Sequence, residues 1–343
     1  MQLSDVSSLR TALLAWYDAN KRDLPWRNTR DPYAIWVSEI MLQQTRVAAV
    51  IDRYHTFLER LPTVTSLALA PEQEVLALWS GLGYYRRARR MHKAAQSLAA
   101  DHQNALPSTS ADLRKLPGIG AYTAAAIASI AHGEPVAVVD GNVERVLCRI
   151  AGWQAADGTG AAALRRQIDT LANHLLDPAR PGDFNQAMME LGATVCTPRN
   201  PQCVTCPLVF SCKTRGEHKT TPRPRMQTRP IGYALVLRAG RSPQTAQEVL
   251  LEQRSSAQSV MPGLWELPML RSPEVPDANL LLTARHAIMQ VNYHVRVRSA
   301  TARALHTLAV EGGERSWFPL ARAGTLPLTG LARKILTRLK LLG

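Results

Sequence analysis

The chain has 343 residues, with 46% hydrophobic and 20% charged side chains, which excludes a disordered protein and predicts two domains. A net charge of +14 points to a polyanionic partner, nucleic acid before an anionic membrane surface. No apolar run reaches membrane-spanning length, and the N-terminal MQLSDVSSLR lacks a basic-then-apolar leader, so a cytoplasmic protein in a reducing compartment is expected.

In chain order, residues 3–20 carry helical apolar spacing at Leu9, Leu13, Trp16 and Tyr17. A basic, turn-rich segment follows, from Lys21 to Arg27 with Trp26 inside it. From Pro32 one long helical pattern runs through Trp36, Ile40, Val47, Val50, Ile51, Tyr54 and Leu58, to be ended by Pro62. Leu67–Leu78 reads as a short helix. It leads into a glycine turn with two tyrosines and four arginines, Gly81-Leu82-Gly83-Tyr84-Tyr85-Arg86-Arg87-Ala88-Arg89-Arg90. Residues 88–100 and 111–116 are expected to be helical.

Leu116 to Val143 is the most informative stretch. Gly118-Ile119-Gly120 opens directly into an Ala-rich helical run, and such a turn presents free backbone N–H groups to an anion. A single carboxylate, Asp140, follows in Val139-Asp140-Gly141-Asn142, where it can cap the next helix or do chemistry beside the anion. Further helices are expected over 143–150, 161–176 and 184–195.

Cys196, Cys203, Cys206 and Cys212 are spaced C-x6-C-x2-C-x5-C. Thiols this close in one loop suit a soft metal centre, either zinc or [4Fe–4S]. The single compact loop, with one close pair, favours the iron–sulfur cluster. Cys148 reads as a small core residue.

Beyond the cysteines, residues 213–229 carry Lys213, Arg215, Lys219, Arg223, Arg225 and Arg229 with Pro222 and Pro224, and a basic linker is expected over 217–230. Strands are expected at Tyr233–Arg238, Glu248–Gln253, Leu264–Leu267, Val295–Arg298 and Ala304–Val310, and a helix from Gly330 to Leu342. The division expected is therefore 1–216, mostly α with the cysteine loop 196–212, the linker 217–230, and a smaller α+β domain over 231–343.

The glycine turn, the later aspartate and the cysteine spacing together resemble the helix–hairpin–helix DNA glycosylases with an iron–sulfur loop. The segment Val37-Ser38-Glu39-Ile40-Met41-Leu42-Gln43-Gln44-Thr45 looks like the adenine-glycosylase (MutY-type) branch, as do Leu82-Gly83-Tyr84-Tyr85, Asp140-Gly141-Asn142-Val143 and Phe184–Gly192. Pro262–Pro268 resembles the Nudix-like domain attached to those enzymes. The resemblance is strong over 16–212 and looser after 231. It implies two helical lobes, a [4Fe–4S] cluster on the four cysteines, and a monomer acting on duplex DNA that carries adenine opposite 8-oxoguanine or guanine. It also implies a nucleoid-associated setting of the bacterial type.

Lyase members of the superfamily carry a lysine two residues after the second hairpin glycine. Here that position is Tyr122, and a phenol cannot form an imine, so base removal without strand cleavage is expected. Hydrolysing an adenine N-glycosidic bond requires a proton on the leaving base and a stabilised cationic sugar, which two carboxylates in different environments supply. Glu39, on a strongly apolar helix, is the expected general acid, and Asp140 the oxocarbenium stabiliser or transient nucleophile. The resemblance gives Tyr122 and Asn142 supporting parts. Gln44, Thr45, Leu82, Tyr84, Tyr85 and Arg86 are expected at DNA, with Arg86, Arg87, Arg89 and Arg90 reaching phosphates and the amides around Gly118 and Gly120 holding another. For the lesion base, the family's Phe-Ser-His turn is compared with Arg303–Leu308, which makes His306 and Thr307 the candidates. The glutamate-rich Nudix box is absent, which disfavours a nucleotide pyrophosphatase. The remaining alternatives are an endonuclease III-type lyase and a non-catalytic iron–sulfur DNA-binding protein.

Overall fold

The computed structural model describes residues 6–101, 105–153, 160–218, 226–240, 247–274, 276–288, 290–310 and 312–342. Part of the basic stretch, 219–225, therefore lies outside the described residues. The helices up to the cysteine loop are α1 (Val6–Asn20), α2 (Pro32–Leu42), α3 (Val47–Arg60), α4 (Val64–Leu69), α5 (Glu72–Leu78), α6 (Arg86–Asp101), α7 (Ser110–Leu113), α8 (Ala121–His132), α9 (Gly141–Ala151), α10 (Ala161–Leu175) and α11 (Pro181–Thr194). The long pattern from Pro32 is two helices, not one. Gln43 leaves helical geometry and Gln44 takes a left-handed φ of 55°. Nothing in Gln43-Gln44-Thr45-Arg46 resembles the glycine or proline that usually announces a helix end. None of the described helices is long and apolar enough to cross a membrane.

By its internal packing the chain forms two compact units. The first comprises residues 1–44, 62–68 and 93–222. In it α1, α9, α10 and α11 enclose a core of Leu13, Val146, Leu147, Leu175, Phe184 and Leu191, while α2 packs on α8. Gly192 is required where α11 meets α9, because a Cβ there would lie 2.6 Å from the Asn142 Cβ.

The second unit comprises 45–61, 69–92 and 223–343. Its strands are β1 (Gln227–Leu235), β2 (Leu237–Ala239), β3 (Gln247–Gln253), β4 (Trp265–Glu266), β5 (Leu280–Ile288), β6 (Val291–Ser299) and β7 (Arg315–Pro319). One sheet has the order β1-β6-β5, with β1 parallel and β5 antiparallel to β6. In the other, β3 pairs antiparallel with β2, β4 and β7. Short helices α12 (Leu305–Leu308) and α13 (Leu320–Ala323) and the longer α14 (Gly330–Arg338) complete it. The sequence pattern missed β5 and β7, and β1 begins at Gln227, inside the stretch expected to be linker. The strand expected over 304–310 is instead α12. Leu305 and Leu308, one turn apart, direct their side chains to one apolar cluster, which helical geometry satisfies and strand alternation does not.

Candidate active site

Four segments of the first unit build the site. Asp31 caps α2, accepting from Tyr33 N at 3.0 Å, and Pro32 starts the helix. From Tyr33 to Met41 every residue of α2 is buried, so Glu39 is carried into an apolar interior at 5% exposure. On the facing helix, the turn Leu116–Gly120 positions α8. Gly118 has φ 81°, Ile119 is buried beneath the turn, and Gly120 caps α8 without any side-chain bond to the first amides. Tyr122 is the second residue of α8. Its hydroxyl donates to Glu39 Oε2 at 2.7 Å and lies 3.4 Å from Met189 Sδ.

Asp140 caps α9. Its Oδ1 accepts from the backbone N–H of Asn142 (2.9 Å) and Val143 (2.7 Å), and its Oδ2 from the Asn142 amide at 3.0 Å. The Asn142 side-chain Oδ1 in turn accepts from Arg145 Nη2 at 2.8 Å. The capping and chemical readings of Asp140 are thus compatible: the helix end holds the carboxylate in one orientation. Burial pushes the Glu39 carboxyl up to about 7; the Tyr122 hydrogen bond works against this, the charge of Asp140 adds to it, and Arg27 opposes it. Tyr122 itself is held far above the ordinary phenol range by burial and by Glu39.

Beside this set lies an arrangement that pattern reading passed over. Glu190, only 1% exposed, accepts from Arg22 Nε and Nη2 and from Arg27 Nη2, each at 2.7 Å. Burial would raise its pKa, but the two guanidiniums outweigh burial and bring it down to about 2. Both arginines sit in a segment that reads only as a basic turn, and nothing local ties that turn to a glutamate 163 residues away in sequence.

The four loop cysteines carry free thiols and line one cavity together with Arg149 and Arg215. Among the described residues no three His, Cys, Asp or Glu side chains are gathered as they would be around one metal ion. Cys148 packs at the edge of the helical core, as its surroundings in α9 predict.

In the second unit the glycine turn is built around Arg87. Its Nη2 donates to Thr45 Oγ1, Leu82 O and Gly83 O, each at 3.1 Å, and its guanidinium stacks on Trp79 and Tyr84. Arg87 is therefore a brace of the loop and not a phosphate contact. Arg89 also turns inward, to Glu72 and to the Pro262 carbonyl. Two of the residues expected at DNA are corrected to core: Leu82 is buried, and Tyr85 is buried with its hydroxyl donating to Leu328 O at 2.9 Å. Tyr84, at 54% exposure and φ 47°, and Arg86 face outward. Gln44, in the first unit, is exposed, and Thr45 donates to Leu82 O at 3.3 Å. A cavity of about 420 Å³ opens beside this loop, lined by Tyr84, Arg86, Met261, His286 and Ile288 among others. His306 and Thr307 are exposed on α12 and do not line it, and the Thr307 hydroxyl is taken by Ala304 O.

Residues 37–168, which contain Glu39, Tyr122 and Asp140, match the family described as HhH-GPD superfamily base excision DNA repair protein. A thermostable thymine-DNA glycosylase has a similar structure, at TM-score 0.56 and 28% identity over 61% of this chain and 96% of that one. The chain is similar to the adenine DNA glycosylase of Homo sapiens, 49% identical over 222 residues that make up 62% of this chain and 40% of that protein. It is also similar to those of Arabidopsis thaliana (36% over 339 residues, 87% of this chain and 53% of that one) and Mycolicibacterium smegmatis (47% over 197 residues, 57% and 66%). The chain thus spans about half the length of the first two of these relatives.

Proposed function

We propose that this chain is an adenine DNA glycosylase that hydrolyses the N-glycosidic bond of adenine opposite 8-oxoguanine or guanine in duplex DNA and leaves the strand intact. The observation that carries this reading is the buried Glu39 carboxyl, bonded to Tyr122 at 2.7 Å and pushed up to about 7 by burial and by the charge of Asp140. An acid poised near neutrality delivers a proton to the leaving purine at N7, so the base departs neutral. Tyr122 holds one Glu39 oxygen and leaves the other to carry that proton. Asp140, fixed by three N–H donors, faces the positive charge that develops on the sugar. The target base must first leave the stack. The uncapped amides of α8 and the net charge of +14 support phosphate binding beside it.

The four thiols are the donor set of a [4Fe–4S] cluster, and their shared cavity supports that assignment. Cys196, Cys203, Cys206 and Cys212 would hold it. Bound there, it would supply a one-electron centre and a cross-link for the loop.

For the base opposite adenine, the cavity beside Tyr84 is the better candidate than α12. His286 lines it, and burial together with Lys334 lowers that imidazole's pKa, which favours the neutral ring. A neutral imidazole nitrogen accepts from the N7–H that 8-oxoguanine has and guanine lacks.

A base-release assay tests the whole reading. Duplexes with labelled adenine opposite 8-oxoguanine, guanine or thymine are incubated with the protein, then split into samples with and without hot alkali. Adenine release with strand scission only after alkali is expected, and fastest opposite 8-oxoguanine. Scission without alkali, or no release from any duplex, would overturn it.

A further inference from the structure

Arg149 plays no part in the chemistry above, yet it is 3% exposed in the last turn of α9. Its guanidinium donates to Cys196 Sγ at 3.3 Å, to Thr197 O at 2.7 Å and to Pro198 O at 3.1 Å. Its own carbonyl accepts from Thr214 N at 3.1 Å, two residues past Cys212. One residue therefore holds both ends of the cysteine loop.

The partners of that guanidinium are carbonyl oxygens and a thiol. Among the described residues no carboxylate lies within ion-pair distance of it. A second cation crowds the same place: Arg145 Nε donates to Cys196 O at 2.9 Å, and Arg149 Nη1 approaches the same oxygen at 3.3 Å. A buried cation without a counter-charge is strongly unfavourable, and two converging on one carbonyl are more so. The arrangement becomes reasonable once the thiols lining the cavity are thiolates of an anionic centre.

We infer that Arg149 is a positioning residue for the iron–sulfur centre: it fixes Cys196 by an N–H···S bond, supplies the buried counter-charge, and raises the centre's reduction potential. This rests on the cofactor reading above. Adding one electron to the centre adds one negative charge beside a fixed cation, so the guanidinium favours the reduced state; hydrogen bonds to the sulfurs act in the same direction. Removing it makes the centre easier to oxidise.

The test compares the wild-type protein with Arg149→Met, which keeps the apolar stem and loses the charge, and Arg149→Lys, which keeps the charge and loses the planar fork. Iron and sulfide per chain, the reduction potential by direct voltammetry, and the loss of visible absorption in air are measured on anaerobically purified protein. A potential more negative in Arg149→Met than in Arg149→Lys, with several-fold faster bleaching in air, is expected. Should Arg149→Met take up no iron while Arg149→Lys does, the counter-charge role is supported by loading alone. Full iron with wild-type potential in Arg149→Met overturns the inference, and so does equal loss of iron in both variants, because charge would then be irrelevant. Wild-type protein isolated without iron and sulfide overturns the cofactor reading itself, before any variant is made.

Discussion

Glu39 and Glu190 are two buried glutamates of the same helical unit with opposite fates. At 5% and 1% exposure both have lost water, and burial pushes both toward the neutral acid. For Glu39 only a phenol and a more distant cation oppose this, and the carboxyl is pushed up to about 7. For Glu190 two arginines bond it directly, and it ends near 2. Burial alone therefore does not make a catalytic acid. What matters is which neighbours the fold withholds: the arginines are on Glu190, and Glu39 is left with a phenol.

The sharpest way to break this contrast is Glu39→Gln. Excision should fall by about 10³-fold or more, the upper part of the range for a lost general acid, while duplex binding measured by titration persists. A variant that still releases adenine at the wild-type rate removes Glu39 from the mechanism. Next is Glu190→Gln, which leaves Arg22 and Arg27 without their buried carboxylate and should cost about 3–5 kcal/mol in denaturant unfolding. A loss below about 1 kcal/mol would mean that water reaches this pair and that its burial has been overstated.

Stability against pH separates the two groups by sign. Glu39 has a raised pKa, so its contribution is intact below the unfolded value of 4.5 and is lost as pH rises toward 7. Glu190 has a depressed pKa, so its contribution is present above 4.5 and is lost as pH falls toward 2. Each window is worth about 3 kcal/mol. Glu39→Gln should accordingly be more stable than wild type at pH 8 by up to that amount and indistinguishable from it at pH 4. Single-turnover excision should instead hold up through that window and decline as pH passes upward through about 7, where folded Glu39 loses its proton. A flat rate profile there would separate Glu39 titration from the chemical step. The smallest effect is expected at His286→Leu, which should reduce the preference for 8-oxoguanine over guanine by about tenfold, the worth of one hydrogen bond. An unchanged preference would move lesion reading away from the cavity beside Tyr84.

Local grammar made much of the molecule readable. The apolar run around Glu39, the glycine turn ahead of Tyr122, the cap at Asp140 and the thiol spacing each announce themselves within a few residues. The readings failed where a long-range partner decided the outcome. Leu82, Tyr85 and Arg87 look like an exposed basic and aromatic loop, yet Arg87 spends its donors on the loop's own carbonyls and Tyr85 bonds Leu328. The expected strand at 304–310 became α12 because the apolar cluster took Leu305 and Leu308 from one face.

By itself the sequence determined which side chains with reactive chemistry exist and which backbone element carries each, since capping, turns and periodicity act over one or two turns of chain. The tertiary structure alone decided what each of those groups is worth. It put a phenol from α8 on the Glu39 of α2, two arginines from an N-terminal turn on the Glu190 of α11, and the last turn of α9 against both ends of the cysteine loop. Desolvation and charge depend on distance through space, and distance through space is not written in local spacing.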